Sequence, residues 1–444
     1  MLARGALLQR ALPPRSTPPG GRLVSRVLVW LRGDLRLADN PLLHFQRPPE
    51  SLLCVYILDR DWLQAPDDGV TRIGPARLRF LWESLIALRG ELLSRGSDLL
   101  VRLGDPVAEI AWLVEHHRID QVSVRRDAGW DETQAVSRLA RRLGPEVTLW
   151  CPDSGTLFDE ARLPIAVEAL PPSFSSFRRR AERHWAVPSA MSAPVSLPPW
   201  PEAASRGLPS LTGVCTEAAG WRPDPRGEFD FVGGEAAGRE RLAHYLAQGG
   251  PGRYKQTRNA LNGPDFSTRL SPWLAHGCLS ARQVHDAVRA WEARHGASDS
   301  SYWIVVELLW RDYFHWAARQ EGAALYGPRQ LPMAREALEA WCRGRTGMPL
   351  VDAAMRELAA TGWLSNRARQ NAASYLVHEL GGDWRLGAAW FEHCLIDYDA
   401  ASNWGNWRYV AGVGRDRRGQ RFDVPWQAER YDPRGHYVTR WLSA

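Results

Sequence analysis

YWIVVELLWRDYFHWAARQ, residues 302–320, is the stretch on which the fold turns. Its apolar and aromatic residues recur every three or four positions, so it reads as one long helix. Trp303, Glu307, Trp310, Arg311 and Phe314 share a face. A carboxylate and a guanidinium set among large aromatics do not make an ordinary core face. The plain alternative is a surface Glu307–Arg311 pair at i, i+4, worth roughly 0.2–0.5 kcal/mol.

Outward from this helix, residues 231–444 are helical almost throughout, with further helices over 235–248, 279–295, 349–361, 366–380 and 384–395. No sustained strand alternation appears, so this is an all-α domain. Before it, residues 152–230 read as an interdomain linker. The part over 186–229 holds eight prolines with scattered serine and glycine, which suits a surface connection with a few local turns. Residues 26–151 alternate short apolar runs with helical spacing. VLVWL (27–31), LLCVYIL (52–58), DLLVRL (98–103), VSV (122–124) and VTLWC (147–151) read as buried strands, with helices near 72–95, 105–117 and 131–143. That alternation predicts an α/β domain with a parallel, Rossmann-like sheet. No G-x-G-x-x-G follows the first strand, so the usual dinucleotide fingerprint is missing. Asp105-Pro106 is a helix start.

A chain of 444 residues, 45% hydrophobic and 24% charged, is globular and exceeds one ordinary core. No apolar run approaches the ~20 residues of a membrane-spanning helix. Six cysteines, never closer than 52 positions, form no C-x-x-C pair, which disfavours zinc fingers and disulfide scaffolds. The net charge of +6 is compatible with a phosphate-rich partner. Residues 1–25 are a basic tail or targeting segment, with no acid before Asp34. They leave two compartments open: cytoplasm if the source is bacterial, an organelle otherwise.

Three further segments carry chemistry. In NRARQ (366–370), Asn366, Arg369 and Gln370 fall on one helical face, with Arg367 turned aside. In IDYDAASNWGNW (396–407), Asp397 and Asp399 could bind a divalent metal, cap a helix starting near 400, or bond to a ligand N–H and a neighbouring arginine. No Glu or His follows at ligand spacing, which argues against the metal. STRLSPWLAHGCLS (267–280) opens with hydroxyls and a basic residue ahead of helical spacing, a pattern suited to phosphate oxygens or to plain N-capping.

Together these segments resemble the photolyase/cryptochrome family over residues 26–442. VWLRGDLRLADNPLL, YKQTRN, STRLSPWLAHGCLS, ELLWRDYF, TGMPLVDAAMRELAATGWLSNRARQN and IDYDAASNWGNWRY stand in the family's order. YKQTRN with the following STRLSPWLA, Gln370 in place of methionine, Tyr409 in place of tryptophan, and YDPRGHYVTRWL resemble the cryptochrome DASH subgroup. The resemblance implies a folded FAD within the helical domain. Tyr254 with Ser267, Thr268, Arg269, Leu270 and Ser271 would hold its diphosphate. Arg311, Arg369, Asp397 and Asp399 would line the isoalloxazine and adenine side, and Asn403 would face N5. It also implies blue-light-driven repair of cyclobutane pyrimidine dimers in single-stranded or looped DNA by electron transfer from reduced FAD. The alternative is a blue-light photoreceptor that binds FAD and DNA with little turnover. Glu307 would bond to the dimer bases, Trp310 and Tyr409 would pack on them, and Asn366 and Gln370 would complete the pocket. Arg258 and Arg367 would meet flanking phosphates. Trp407 and Trp384 match the family's photoreduction chain, whereas Leu331 stands where a third tryptophan is expected; Trp341 or Tyr326 are substitutes. An antenna, 5,10-methenyltetrahydrofolate, would use Asp127, a shorter acid than the family's glutamate. Trp426 and Asp423 replace the subgroup's usual lysine and asparagine on the DNA-facing rim. The expected protein is a monomer with no metal and no membrane partner.

Overall fold

The computed structural model describes residues 25–65, 70–326, 335–416 and 420–443. Nearly all of the basic N-terminal segment, and Leu331, lie outside the described residues. Strands β1 (Arg26–Leu31), β2 (Ser51–Asp59), β3 (Leu99–Gly104), β4 (Gln121–Val124) and β5 (Thr148–Trp150) form one parallel sheet in the order β3-β2-β1-β4-β5. Helices α1 (Pro75–Leu93), α2 (Pro106–His116) and α3 (Trp130–Arg142) make three of the four crossovers. Asp105 caps α2, its carboxylate accepting from the Ala108 N–H at 2.7 Å. Both faces of the sheet are covered, which is why its strands read as continuous apolar runs. Leu28, Val55, Ile110 and Leu139 form the core on one side. On the other, Val29, Leu31 and Tyr56 share one buried cluster with Trp273, Val305 and Trp316 of the helical part. The two halves thus share a core.

Strand order reverses beside β1, the place where open α/β sheets commonly receive a ligand. Here that crevice is closed. Asp127, after β4, pairs with Arg125 and with Arg32 (2.9 Å), and Arg125 donates to the Gly33 carbonyl. The Leu35 N–H donates to the His276 carbonyl (3.2 Å), and Arg36 to that of Gly277 (3.0 Å). Gly277 has φ +68°, and a Cβ there would stand 2.0 Å from the Gly33 oxygen. Only glycine permits this approach of the helical part to the sheet.

Residues 152–230 are more than a surface connection, and this corrects the sequence reading. They hold α4 (Phe174–Arg183) and the short α5 (Leu211–Val214) and α6 (Thr216–Gly220). Leu157, Phe158, Phe177 and Ala181 are fully buried. The prolines and serines masked sparse apolar anchors that dock on both neighbouring layers.

The helical part runs α7 (Glu235–Ala247), α8 (Gly250–Thr257), α9 (Ser271–Ala275), α10 (Ala281–His295), α11 (Asp299–Glu321), α12 (Arg335–Cys342), α13 (Pro349–Thr361), α14 (Asn366–Ser374), α15 (Trp384–Cys394), α16 (Ala400–Val410), α17 (Val424–Tyr431) and α18 (His436–Leu442). The helix expected over 366–380 is α14 followed by a π-helical turn at Tyr375–Glu379. A second core gathers Trp341, Met355, Trp407 and Trp441. Replacing Phe177 by alanine should lower unfolding free energy by about 3–5 kcal/mol. Chemical denaturation tests this; a change under about 0.5 kcal/mol would return the connector to the surface.

Candidate functional site

Ser298 starts α11 in a reciprocal cap with Ser301. The helix then turns Glu307 toward α8 and Trp310 toward the connector and α16, and it bonds Arg311 and Asp312 to connector backbone. Arg311 donates to the carbonyls of Gly155 (2.7 Å) and Leu274 (3.2 Å). Asp312 accepts from the N–H groups of Leu157 (3.0 Å) and Phe158 (3.3 Å). The Glu307–Arg311 pair does not form. Glu307 instead pairs with Arg258 at the end of α8, whose guanidinium also lies 5.3 Å from the Trp303 ring. Burial pushes the Glu307 carboxyl up, with Arg258 opposing.

Trp310 is stacked on Phe174 of the connector, with ring centroids 3.7 Å apart, and Tyr409 approaches it at 6.1 Å. These rings, with Phe314, Arg408 and Arg415, line a small cavity of about 90 Å³. Asn366 is exposed at the start of α14. Arg367 donates to Asn259 (3.1 Å) and rests on the Tyr431 ring (4.7 Å). Lys255, paired with Asp299, lies 5.0 Å from the same Trp303 ring as Arg258, so with Arg367 the edge beside Glu307 is basic.

Deeper, Arg369 donates to the Leu364 carbonyl (3.0 Å) and to Asp397 (2.7 Å). Asp399 caps α16, accepting from the Ser402 N–H (2.8 Å). Of the readings open for these two carboxylates, one takes the arginine and the other the cap. Among the described residues no cluster of three His, Cys, Asp or Glu could hold a metal. Asn403 is buried and donates to the Ala388 carbonyl at 3.0 Å. Asp397 Oδ1 and Gln370 Oε1 are buried without a hydrogen-bond partner. Such acceptors are costly unless something donates to them.

The run 267–271 is ordered by contacts of its own. Arg269, at φ 53°, puts its guanidinium 4.4 Å from the Trp363 ring and 4.9 Å from Phe266, and donates to the Gly263 carbonyl (2.7 Å). Burial there brings its pKa down to about 10. An aromatic cage holds that side chain. Arg241 gathers the carbonyls of Ser267 (3.0 Å) and Thr268 (2.9 Å), while the Ser271 hydroxyl accepts from the Trp363 indole (3.3 Å). Leu270 is buried beneath α9, and Tyr254 is buried on α8.

Trp407 is enclosed by Phe391 (5.0 Å) and Trp341 (6.1 Å). Trp384 meets Trp404 at 5.7 Å, and Trp404 meets Tyr326 at 4.9 Å. Of the two substitutes, Trp341 touches Trp407, whereas Tyr326 reaches Trp384 through Trp404, a residue the sequence reading passed over. Asp127 has both oxygens engaged by Arg125 and Arg32. Burial alone would raise its carboxyl, but those arginines hold it below the usual range.

Two family models match the chain: the DNA photolyase domain over residues 27–199 and the FAD binding domain of DNA photolyase over 303–444. A cryptochrome DASH of Gloeobacter violaceus is 44% identical, covering 94% of this chain and 85% of that protein. The cryptochrome DASH of Xenopus laevis is 39% identical, covering 94% and 83%. This chain belongs to the photolyase/cryptochrome family and groups with the DASH cryptochromes. A Synechocystis cryptochrome structure superposes with a TM-score of 0.88 at 36% identity, covering 95% of this chain and 89% of that one. A class III photolyase of Agrobacterium tumefaciens gives 0.77 at 27%, covering 96% and 88%. The cofactor of this helical domain is FAD. The residues present fit it, since Asp397 Oδ1 and Gln370 Oε1 are the buried acceptors that a flat ring bearing N–H groups would satisfy.

One neighbour in this region escaped the sequence reading. His276 Nε2 lies 2.9 Å from the Ile396 carbonyl, one residue before Asp397, which assigns it an N–H donor role. Burial, with Arg77 nearby, brings its pKa down to about 4. A group depressed from about 6.5 in the unfolded chain favours folding above that value. That contribution is lost as pH falls from about 6.5 to 4. Denaturation at each pH should therefore show wild type losing up to about 3 kcal/mol more than His276→Gln across this window. Parallel curves would deny His276 the role.

Proposed function

We propose that this protein repairs cyclobutane pyrimidine dimers, preferentially in single-stranded or looped DNA, under blue light. The observation that carries the reading is Glu307: a carboxyl pushed up by burial, paired with Arg258, three residues from Trp310 and near a cationic edge. Bound reduced FAD supplies light-driven electron donation to a cyclobutane dimer. The side chains position and screen the substrate. Glu307 holds the dimer through its base edges. A carboxyl that keeps its proton above the usual range can donate to a base carbonyl, and the ionised form accepts from a base N–H. Trp310 and Tyr409 bound the space beside the bases and exclude water. Arg369 neutralises Asp397, leaving that carboxylate's second oxygen for a flavin N–H. Asn403 supplies a neutral amide. Tyr254 and the backbone of 267–271 stand by the phosphates, with Arg241 ordering that loop. Arg258 and Arg367 meet the phosphates flanking the lesion, which gives salt-dependent, sequence-blind affinity. Single strands are preferred because a duplex must first be unstacked, at a few kcal/mol.

The second reading is a photoreceptor with little turnover. The stacking of Phe174 on Trp310 favours it, because one face of the indole is already covered. Illumination of the purified, FAD-containing protein with dimer-bearing single- and double-stranded oligonucleotides separates the two. Repair predicts loss of dimer, faster on single strands; binding without loss of dimer assigns the receptor.

Glu307→Ala should cut repair by about 10²-fold, the scale of a lost positioning contact, while flavin absorbance per protein stays constant. Unchanged repair would remove Glu307 from the site. Trp407→Phe should slow photoreduction of oxidised flavin in the presence of a thiol, yet spare repair by protein reduced chemically beforehand. Loss of that repair would give Trp407 another role.

A further inference from the structure

Trp426 is unused by the site above. It lies on α17 with 52% of its surface exposed, while Val424 and Gln427 of the same helix are buried. A large ring half in water is out of place on a helix that anchors its other face well. Its surroundings are charged. Arg430 sits one turn on, at i+4, and both it and Arg434 are exposed. Across the helix, Arg367 rests on Tyr431 (4.7 Å) and Phe422 (5.6 Å). Among the described residues no ion pair neutralises Arg367, Arg430 or Arg434. Asp423 is turned to the helix start, accepting from the Trp426 N–H at 3.0 Å. Glu429 is the acid left on this face, so the local field is mixed, and the ring itself must supply any selectivity.

We infer that Trp426 is a stacking platform for an unpaired base flanking the dimer, with Arg367 and Arg430 on the neighbouring phosphates. The inference rests on the repair reading above and adds a determinant of strand preference to it. Trp426 is five residues from Tyr431, about 7.5 Å of helix rise, and Tyr431 carries the arginine next to Asn366. A base one or a few nucleotides from a dimer at that pocket is thus within reach. A single exposed ring among arginines suits base stacking, which tolerates any sequence. A protein interface would call for a wider apolar patch. In a duplex the flanking bases are stacked on each other, so the platform acts only on single-stranded or opened DNA.

The test uses the full-length FAD-containing protein in the dark. Dissociation constants are measured by fluorescence anisotropy, at one fixed salt, for a short single strand with one thymine dimer. The matching duplex and a series with one abasic position beside the dimer complete the set. Trp426→Ala should weaken single-strand binding about 10-fold, with a much smaller effect on the duplex, and Trp426→Phe should restore most of the loss. Wild type should lose affinity at one abasic position, and Trp426→Ala should be indifferent there. Equal affinity of wild type and Trp426→Ala, or an unchanged abasic profile, overturns the platform alone. Failure of wild type to bind the dimer strand overturns the platform and the repair reading together.

Discussion

Two adjacent residues of α11 fix the geometry on which everything else depends. Arg311 donates to the Gly155 carbonyl, and Asp312 accepts from the N–H groups of Leu157 and Phe158. One short piece of connector backbone is thereby held by both signs of charge on successive side chains. Arg311 also reaches the Leu274 carbonyl, so the connector, α9 and α11 are tied at one point. Asp312 is completely buried, and burial lifts its carboxyl to about 7. A group held this unfavourably makes its cluster dear in free energy, and its N–H donors are what make the ionised form tolerable. With α11 so fixed, the positions beside this pair have no freedom. Glu307 and Trp310 must project toward α8 and α16, where Arg258 and Tyr409 meet them.

The arginines divide between two tasks. Several facing the interior are matched: Arg125 and Arg32 with Asp127, Arg241 with Asp265, Arg369 with Asp397. Others are held without a carboxylate, Arg269 by aromatic faces and a carbonyl and Arg36 by carbonyls and the Ser154 hydroxyl, and burial depresses the pKa of both. Interior pairs of this kind hold segments in register, since removing one partner would strand the other charge away from water. Half-buried Arg367 of α14 and exposed Arg430 of α17 have no such partners among the described residues, and they give that edge its cationic character. A modest net charge of +6 therefore says little until the paired charges are set aside.

The five strands were legible because a parallel sheet covered on both faces must be apolar along its length. The long helices were legible because each has one buried stripe. The family was legible from motifs in fixed order. Pairings between distant segments were not. Nothing near Glu307 in the chain points to Arg258, 49 positions away, while Arg311 at i+4 looks the natural partner. Phe174 on Trp310 was hidden in the same way, inside a segment whose prolines and serines suggested solvent. Arg269 sits among phosphate-friendly neighbours in STRLS, whereas its cage comes from Phe229, Phe266 and Trp363. Of the two arginines on Asp127, Arg125 is two residues away, but Arg32 follows β1 and reaches it through the β1–β4 pairing. Local spacing reports which face a residue occupies; the partner across the gap is a property of tertiary packing.

The closed crevice at the sheet explains why the flavin belongs to the helices. In an open α/β sheet, the turn after the first strand offers its backbone to a pyrophosphate, and glycines make room for it. Here the glycine after β1 is used otherwise. The Gly33 carbonyl accepts from Arg125 and stands against Gly277, so the space is filled by protein. Of the buried acceptors left without donors, Asp34 Oδ2 lies beside this crevice, whereas Asp397 Oδ1 and Gln370 Oε1 belong to the helical part. The sheet has become a platform that docks the helices, and the flavin's domain is the helical one.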